Sequence, residues 1–142
     1  MWTEPKTNWV YSDMFEMEMD YVRIRENILH LYDLLDGIVG TKETLNTMVS
    51  LSYDSNGTVN NIIRSSFLNN PVYNTNYIRN SLVNNGIDIR ISTMNTYVGN
   101  QAGWNYNDLN TLEDNHLILF TLITKRIKAK QKLPIQLGQR GF

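Results

Sequence analysis

Between Met17 and Ile38 the apolar side chains fall at Met17, Tyr21, Ile24, Ile28, Leu31, Leu35 and Ile38. The steps alternate four and three, which is a heptad seam, the pattern that winds one helix against another. Burying such side chains is worth on the order of 1.5–3 kcal/mol each. A lone helix of this length is marginal in water, so the seam predicts a partner face. That face belongs either to the same chain or to a second copy in a parallel bundle. Isoleucine at consecutive core positions lean the second case towards a homotrimer. Met17, Tyr21, Ile24, Ile28, Leu31, Leu35 and Ile38 are therefore the candidate oligomerisation seam of a coiled coil. Asp13 with Glu16 fits a capping box, and Glu16, Glu18 and Asp20 suit the positive end of the helix dipole. Gly37 stops the helix and Gly40 frees the turn after it.

The remainder reads as a mainly α fold. Residues 1–15 form an extended N-terminal arm, with Pro5 against regular structure and Trp2 and Trp9 as anchors. A single mainly helical domain covers 16–132, from the heptad helix at 16–38 to a C-terminal helix at 111–132. Thr41 can cap a second helix carrying Leu45 and Met48. Tyr53-Asp54-Ser55-Asn56-Gly57 is a strong turn. Asparagine is concentrated between Asn56 and Asn115, and its preference for turns and caps predicts a broken middle. Two short helices are expected there, one on Val59, Ile62, Ile63 and Phe67, the other on Tyr77, Ile78, Leu82 and Val83. Ile87, Ile89 and Ile91 alternate with polar residues, the period of a half-buried strand, which Tyr97-Val98 can pair in a small β-ribbon. Thr111 and Asp114 fit the cap of the last helix, buried nearly all round. Pro134 closes it, leaving 133–142 as an extended tail ending in Phe142.

Charge is polarised along the chain. Through Asp54 there are ten acidic residues against four basic ones, whereas after Asn115 there are six basic residues and no acid. Two solvated faces explain this, and so does a meeting of opposite ends, within a subunit or between neighbours. Nucleic-acid binding by the basic tail is disfavoured, because no aromatics are interleaved with the charges. There is no cysteine, so disulfides and thiolate chemistry are excluded. No apolar run approaches the roughly 20 residues of a membrane span. The start, Met1-Trp2-Thr3-Glu4-Pro5, lacks the basic and apolar regions of a signal peptide. His30 and His116 are the two histidines, and His116 sits at a core spacing between Leu112 and Leu119. No metal-binding, calcium-loop or phosphate-loop motif occurs. Neither a catalytic residue, a metal, a cofactor nor a small-molecule substrate is expected, and the chain reads as a non-enzyme.

The two ends echo each other. Trp9, Tyr11, Asp13, Met14, Met17 and Glu18 align with Trp104, Tyr106, Asp108, Leu109, Leu112 and Glu113. Each Trp-x-Tyr-x-Asp leads into a helix, with the Asp as cap and the aromatics as a staple. Trp2, Trp9, Tyr11, Asp13, Trp104, Tyr106, Asp108 and Phe142 are thus the candidate docking and staple residues. Asn8-Trp9, Asp13, Phe15, Asp20-Tyr21, Arg23-Ile24 and Glu26-Asn27-Ile28 resemble the helix-opening motif of tail, baseplate and fibre-associated proteins of phages infecting Gram-positive bacteria. Trp104 to Asp108 resembles its opening, but no Arg-Ile or Asn-Ile follows at the expected places, which are filled by Ile118-Leu119 and Leu122-Ile123. The resemblance implies a virion structural protein, assembled in the bacterial host cytoplasm, working as a trimer or ring subunit with other virion proteins as partners. A neck, collar or capsid-associated role is the nearest alternative. A small nucleic-acid-binding regulator using the basic C-terminal helix is the alternative from another class.

Overall fold

The computed structural model describes residues 1–60, 65–98 and 103–139, with side chains as far as Ala129. The heptad stretch is helical from Met17 to Gly37. It comprises a π-helical turn over Met17–Tyr21, α1 over Val22–Leu34 and a 3-10 turn over Leu35–Gly37. α2 spans Ser65–Asn84 and α3 spans Tyr106–Gln139. The protein is mainly helical, and no strand forms among the described residues.

All three helices point the same way. Arg23 meets Glu113, His30 faces Phe120 and Gly37 lies against Ile127, each pair 90 residues apart, so α1 and α3 are parallel. Tyr21 packs on Phe67 and Tyr32 on Tyr77, which makes α2 parallel to α1 as well. The heptad reading of α1 finds its partner here. Tyr21, Ile24, Ile28, Leu31 and Leu35 are 0–1% exposed within a single chain. On α3, Leu109, Leu112, His116, Leu119 and Ile123 repeat the three-four alternation and are likewise buried. The seam is the protomer's own core, not the expected face for a second copy. Met17 and Ile38, its two ends, are only half-buried.

Parallel helices in one chain need long return paths, and these are the irregular segments. The N-terminal arm descends between α1 and α3, passing Asn27 at Thr3, Glu113 at Lys6 and Asn110 at Trp9. Residues 42–49 descend between α1 and α2. Glu43 is held by the Tyr32 and Tyr77 hydroxyls, Asn46 by Asn74, Met48 by Arg25 and Val49 by the Tyr21 hydroxyl. Residues 87–98 descend between α2 and α3, held at Ser92 by Asn115 and at Tyr97 by Asn69. Each return segment therefore fills one groove of the bundle.

Asparagine does the fastening. Five helical asparagines accept from the backbone N–H of a neighbouring segment and donate to the C=O of the same residue. The pairs are Asn27 with Thr3, Asn110 with Trp9, Asn74 with Asn46, Asn69 with Tyr97 and Asn115 with Ser92. A carboxamide carries both a donor and an acceptor, so one side chain satisfies an extended residue as a neighbouring strand would. The asparagine-rich middle is consequently not broken into short elements. Phe67 and Tyr77 to Val83, expected on two helices, lie on the single α2, which continues through Pro71. Ile62 and Ile63 lie outside the described residues.

The clamps expose an internal threefold repeat. Setting Asn27, Asn74 and Asn115 as equivalent brings Leu31, Ile78 and Leu119 together, then Leu35, Leu82 and Ile123; all six are 0% exposed. One residue after each clamp come Ile28, Thr75 and His116, also fully buried. Five residues before two of the clamps stand Asn69 and Asn110, each holding a second return segment. In α1 that position is Val22, and Tyr21 and Arg25 hold the segment instead. Each unit is an extended descent followed by a helix.

Other expectations change with it. The stretch from Thr41 to Val49 is extended, not helical, because flanking side chains satisfy its backbone. Ile87 and Ile89 are buried and Asp88 and Arg90 exposed, as alternation requires, but Tyr97-Val98 does not pair with them in a ribbon. The Asp54–Gly57 turn does form: Asp54 accepts from Asn56 and Thr58, and Gly57 has φ +80°. Gly86 ends α2 in a Schellman motif at φ +81°, with Ile87 N–H on Leu82 O and Gly86 N–H on Val83 O. The helical stretch ends at Gly37 as expected, and the glycine also makes room for α3, since a Cβ there would stand 3.1 Å from Ile127 Cγ1. α3 begins at Tyr106, five residues early, with Asn105 and Asp108 exchanging capping-box bonds in place of Thr111 and Asp114. It also continues past Pro134 to Gln139, where an extended tail was expected. Phe142 lies outside the described residues.

Candidate functional site

The arm is locked to the bundle through one buried carboxylate. Glu113 is 0% exposed and accepts from Trp9 Nε1 (2.7 Å), the Lys6 backbone N–H (3.1 Å), and Arg23 Nε and Nη2 (2.7 and 2.9 Å). Arg23 reaches Asp20 with its third nitrogen at 2.9 Å. A planar guanidinium is suited to this two-sided fork, as a lysine is not. Burial opposes the Arg23 charge, but the Glu113 and Asp20 carboxylates outweigh it and hold the group above its ordinary range. Asp20 also accepts from Glu16 N–H (2.7 Å). It, and not Asp13, caps the first helical turn. Asp13 instead closes a turn by accepting from Val10 N–H and pairs with Lys6 at 3.2 Å, and these bonds lower its pKa.

The candidate docking residues divide into buried staples and exposed tips. Trp2 stacks on Phe120 with centroids 4.0 Å apart, and Trp9 is buried beneath Lys6, whose ammonium lies 4.1 Å from the ring. Trp104 contacts Phe15 and Phe67. Asp108 accepts from the Tyr97 hydroxyl, from Asn95 and from Asn105 N–H. Burial first, then that carboxylate, pushes the Tyr97 phenol up. The two Trp-x-Tyr-x-Asp stretches touch, Tyr11 edge-on to Tyr106, but they are not repeat equivalents. By its clamp Trp9 corresponds to Tyr97, and Asp20 to Asp108. Tyr11 (90% exposed) and Met14 (84%) project from the arm's turn beside Val10 and Tyr106. These tips, unlike the seam, are apolar surface left free.

Two other surface features stand out. A groove of 580 Å³ on the first half of α1 is lined by Met1, Glu4, Glu18, Met19, Val22 and Glu26, among others. At the far end of the bundle Lys125, Arg126 and Lys128 are exposed and make no ion pair among the described residues. A smaller pocket of 120 Å³ lies beside Trp104, Asn107 and Asp108, whose carboxylate is already engaged. Among the described residues no three His, Asp or Glu side chains are grouped to hold a metal ion, and no helix is long and apolar enough to cross a membrane. His116 is fully buried with Nε2 2.9 Å from Thr75 Oγ1. The Thr75 hydroxyl also lies within hydrogen-bond distance of Pro71 O, at 2.8 Å, and His116 Nδ1 is buried without a hydrogen-bond partner among the described residues. Burial pushes its pKa down to about 3.

No family model, curated protein or solved structure matches the chain.

Asn27 falls in the helix-opening motif and Glu113 in the echo of the two ends, but neither their roles nor the other clamping asparagines were singled out by sequence. The signal was present in the equal five-residue spacing of Asn69-Asn74 and Asn110-Asn115. A glutamate at a seam-adjacent position, read against Arg23 one helix away, has no comparable local mark.

Proposed function

We propose that the protein is a structural subunit of a bacteriophage virion, a tail, baseplate or fibre-attachment component acting through protein–protein assembly. The observation that carries this reading is where the motif residues fall. Trp9, Arg23 and Asn27, three positions of the phage-type helix opening, fasten the arm, α1 and α3 to one another, and a fourth, Asp20, holds the Arg23 guanidinium. The motif is then a device for ordering an arm against a helix. The internal threefold repeat supports the same reading, since three parallel helices about one axis suit a threefold partner. Homo-oligomerisation, in this reading, uses the surface and the exposed tips of the arm, because the heptad seam is occupied.

The test is to purify particles from a lysate of the host and probe them by mass spectrometry and immunogold labelling. The protein at a fixed stoichiometry and at one position on the particle is the expected result. Its presence in the lysate with absence from particles refutes the reading. The exposed Lys125, Arg126 and Lys128 favour a second reading, binding of nucleic acid. That would show as DNA affinity falling steeply with salt.

A further inference from the structure

We infer that the groove on the first half of α1 is a docking site for the cationic end of α3 from a second copy of this chain. The inference rests on the assembly reading and names the interface. The groove has an apolar floor from Met1, Met19 and Val22 and an acidic rim from Glu4, Glu18 and Glu26. Met1 is 89% and Met19 58% exposed, so the floor is uncovered in the protomer. Arg23 also borders the groove, but its charge is consumed by Asp20 and Glu113. Glu26 pairs with Arg25, whereas Glu4 and Glu18 make no ion pair among the described residues.

Charge complementarity identifies the occupant. From Lys125 onward the chain carries six basic residues and no acid. Lys125, Arg126 and Lys128 stand on a helix that remains regular to Gln139. The same protomer cannot close the contact. α1 and α3 are parallel, with Glu113 at Arg23 and Ile127 at Gly37, so the groove and the cationic end lie at opposite ends of the bundle. From Val22 to Gly37 is about 22 Å, and α3 continues about 18 Å beyond Ile127 at 1.5 Å per residue. The acidic groove of one copy therefore receives the helix end of the next. Such a head-to-tail contact is heterologous and propagates as a ring or a filament.

The experiment uses the full chain and two charge-reversal variants. Variant one is Glu4→Lys/Glu18→Lys, and variant two is Lys125→Glu/Arg126→Glu/Lys128→Glu/Lys130→Glu/Lys132→Glu, which leaves Arg140 as the one basic residue of that end. Glu4, Glu18, Lys125, Arg126 and Lys128 are exposed, and circular dichroism checks that both variants are folded. Sedimentation velocity should show wild-type self-association that weakens at least about tenfold between low and high salt, as screening of exposed charges requires. Each variant alone should fail to associate. An equimolar mixture should associate again, because every groove then meets a helix end of opposite charge. Association that persists in the separate variants places the interface elsewhere and overturns the inference, while leaving the virion reading intact. A wild-type protein that stays monomeric at low salt, or a mixture that fails to re-associate, overturns it as well. Absence from purified particles overturns the virion reading alone.

Discussion

The Arg23–Glu113 pair is the sharpest test of how the arm and bundle hold together. One guanidinium, 10% exposed, serves two carboxylates, Glu113 at 0% and Asp20 at 7%. Removing one partner of a buried pair costs about 3–5 kcal/mol, because the survivor stays buried and uncompensated. The two removals are not equivalent here. Glu113→Leu leaves Arg23 its contact with Asp20, so its ionic cost falls at the low end, about 3 kcal/mol. Trp9 Nε1 and Lys6 N–H also lose their acceptor, at about 1–3 kcal/mol each, unless the arm lifts into water. Arg23→Leu strands both carboxylates and should cost about 5 kcal/mol near neutral pH. The double variant Arg23→Leu/Glu113→Leu should be more stable than the sum of the singles implies, with a coupling of about 2–3 kcal/mol. Urea unfolding monitored by circular dichroism, with Trp9 fluorescence reporting the arm, measures all three. Losses under about 1 kcal/mol for both singles, or additivity in the double variant, would refute the lock.

Four further outcomes are expected. Asn115→Ala removes both bonds to Ser92 and should cost about 2 kcal/mol, with faster hydrogen exchange at the Ser92 amide. Asn80→Ala, on the exposed side of α2, should instead stabilise by about 0.5 kcal/mol through helix propensity; equal signs for the two would refute the clamp reading. His116 has a folded pKa of about 3 against 6.5 for the free group. The unfolded state therefore takes up a proton that the native state refuses, and the histidine's contribution, complete above 6.5, is lost as pH falls towards 3. Between pH 6 and pH 4 wild type should lose about 2 kcal/mol more than His116→Leu in paired urea titrations. Gly86→Ala forces φ +81° on an alanine and should cost about 1 kcal/mol, seen as a lower thermal midpoint. Ile28→Asp, at a fully buried position, should unfold the chain, with loss of helical circular dichroism, and not yield a folded monomer.

Periodicity reads which face of an element is buried, but not what covers it. At Ile24, Ile28 and Leu31 the seam was legible as a buried stripe, and it is one. Its partner was not legible, because a parallel helix 90 residues away in the same chain offers the same heptad complement as a second copy. The alternation of Ile87 and Ile89 likewise marked the buried side of an extended segment, while the ladder it suggested is replaced by the side chains of Asn69 and Asn115. Asparagine was misread for a physical reason. Its low helix propensity reflects competition between its carboxamide and the local backbone. At Asn69 and Asn74 the carboxamide is engaged by another segment, so that competition is removed and α2 continues through both. Such a fold has its return segments fixed by single side chains instead of continuous ladders. Among the three helices, α1 is the one where the second clamp position is Val22 and not asparagine. Val22 also lies on the floor of the acidic groove. The break in the threefold repeat thus falls where the bundle keeps an open surface, and restoring the pattern with Val22→Asn tests whether that opening is used. If the groove takes an apolar and cationic helix end, the variant should weaken self-association while leaving helical content unchanged. If association is unaffected, the departure from the repeat is a matter of packing alone.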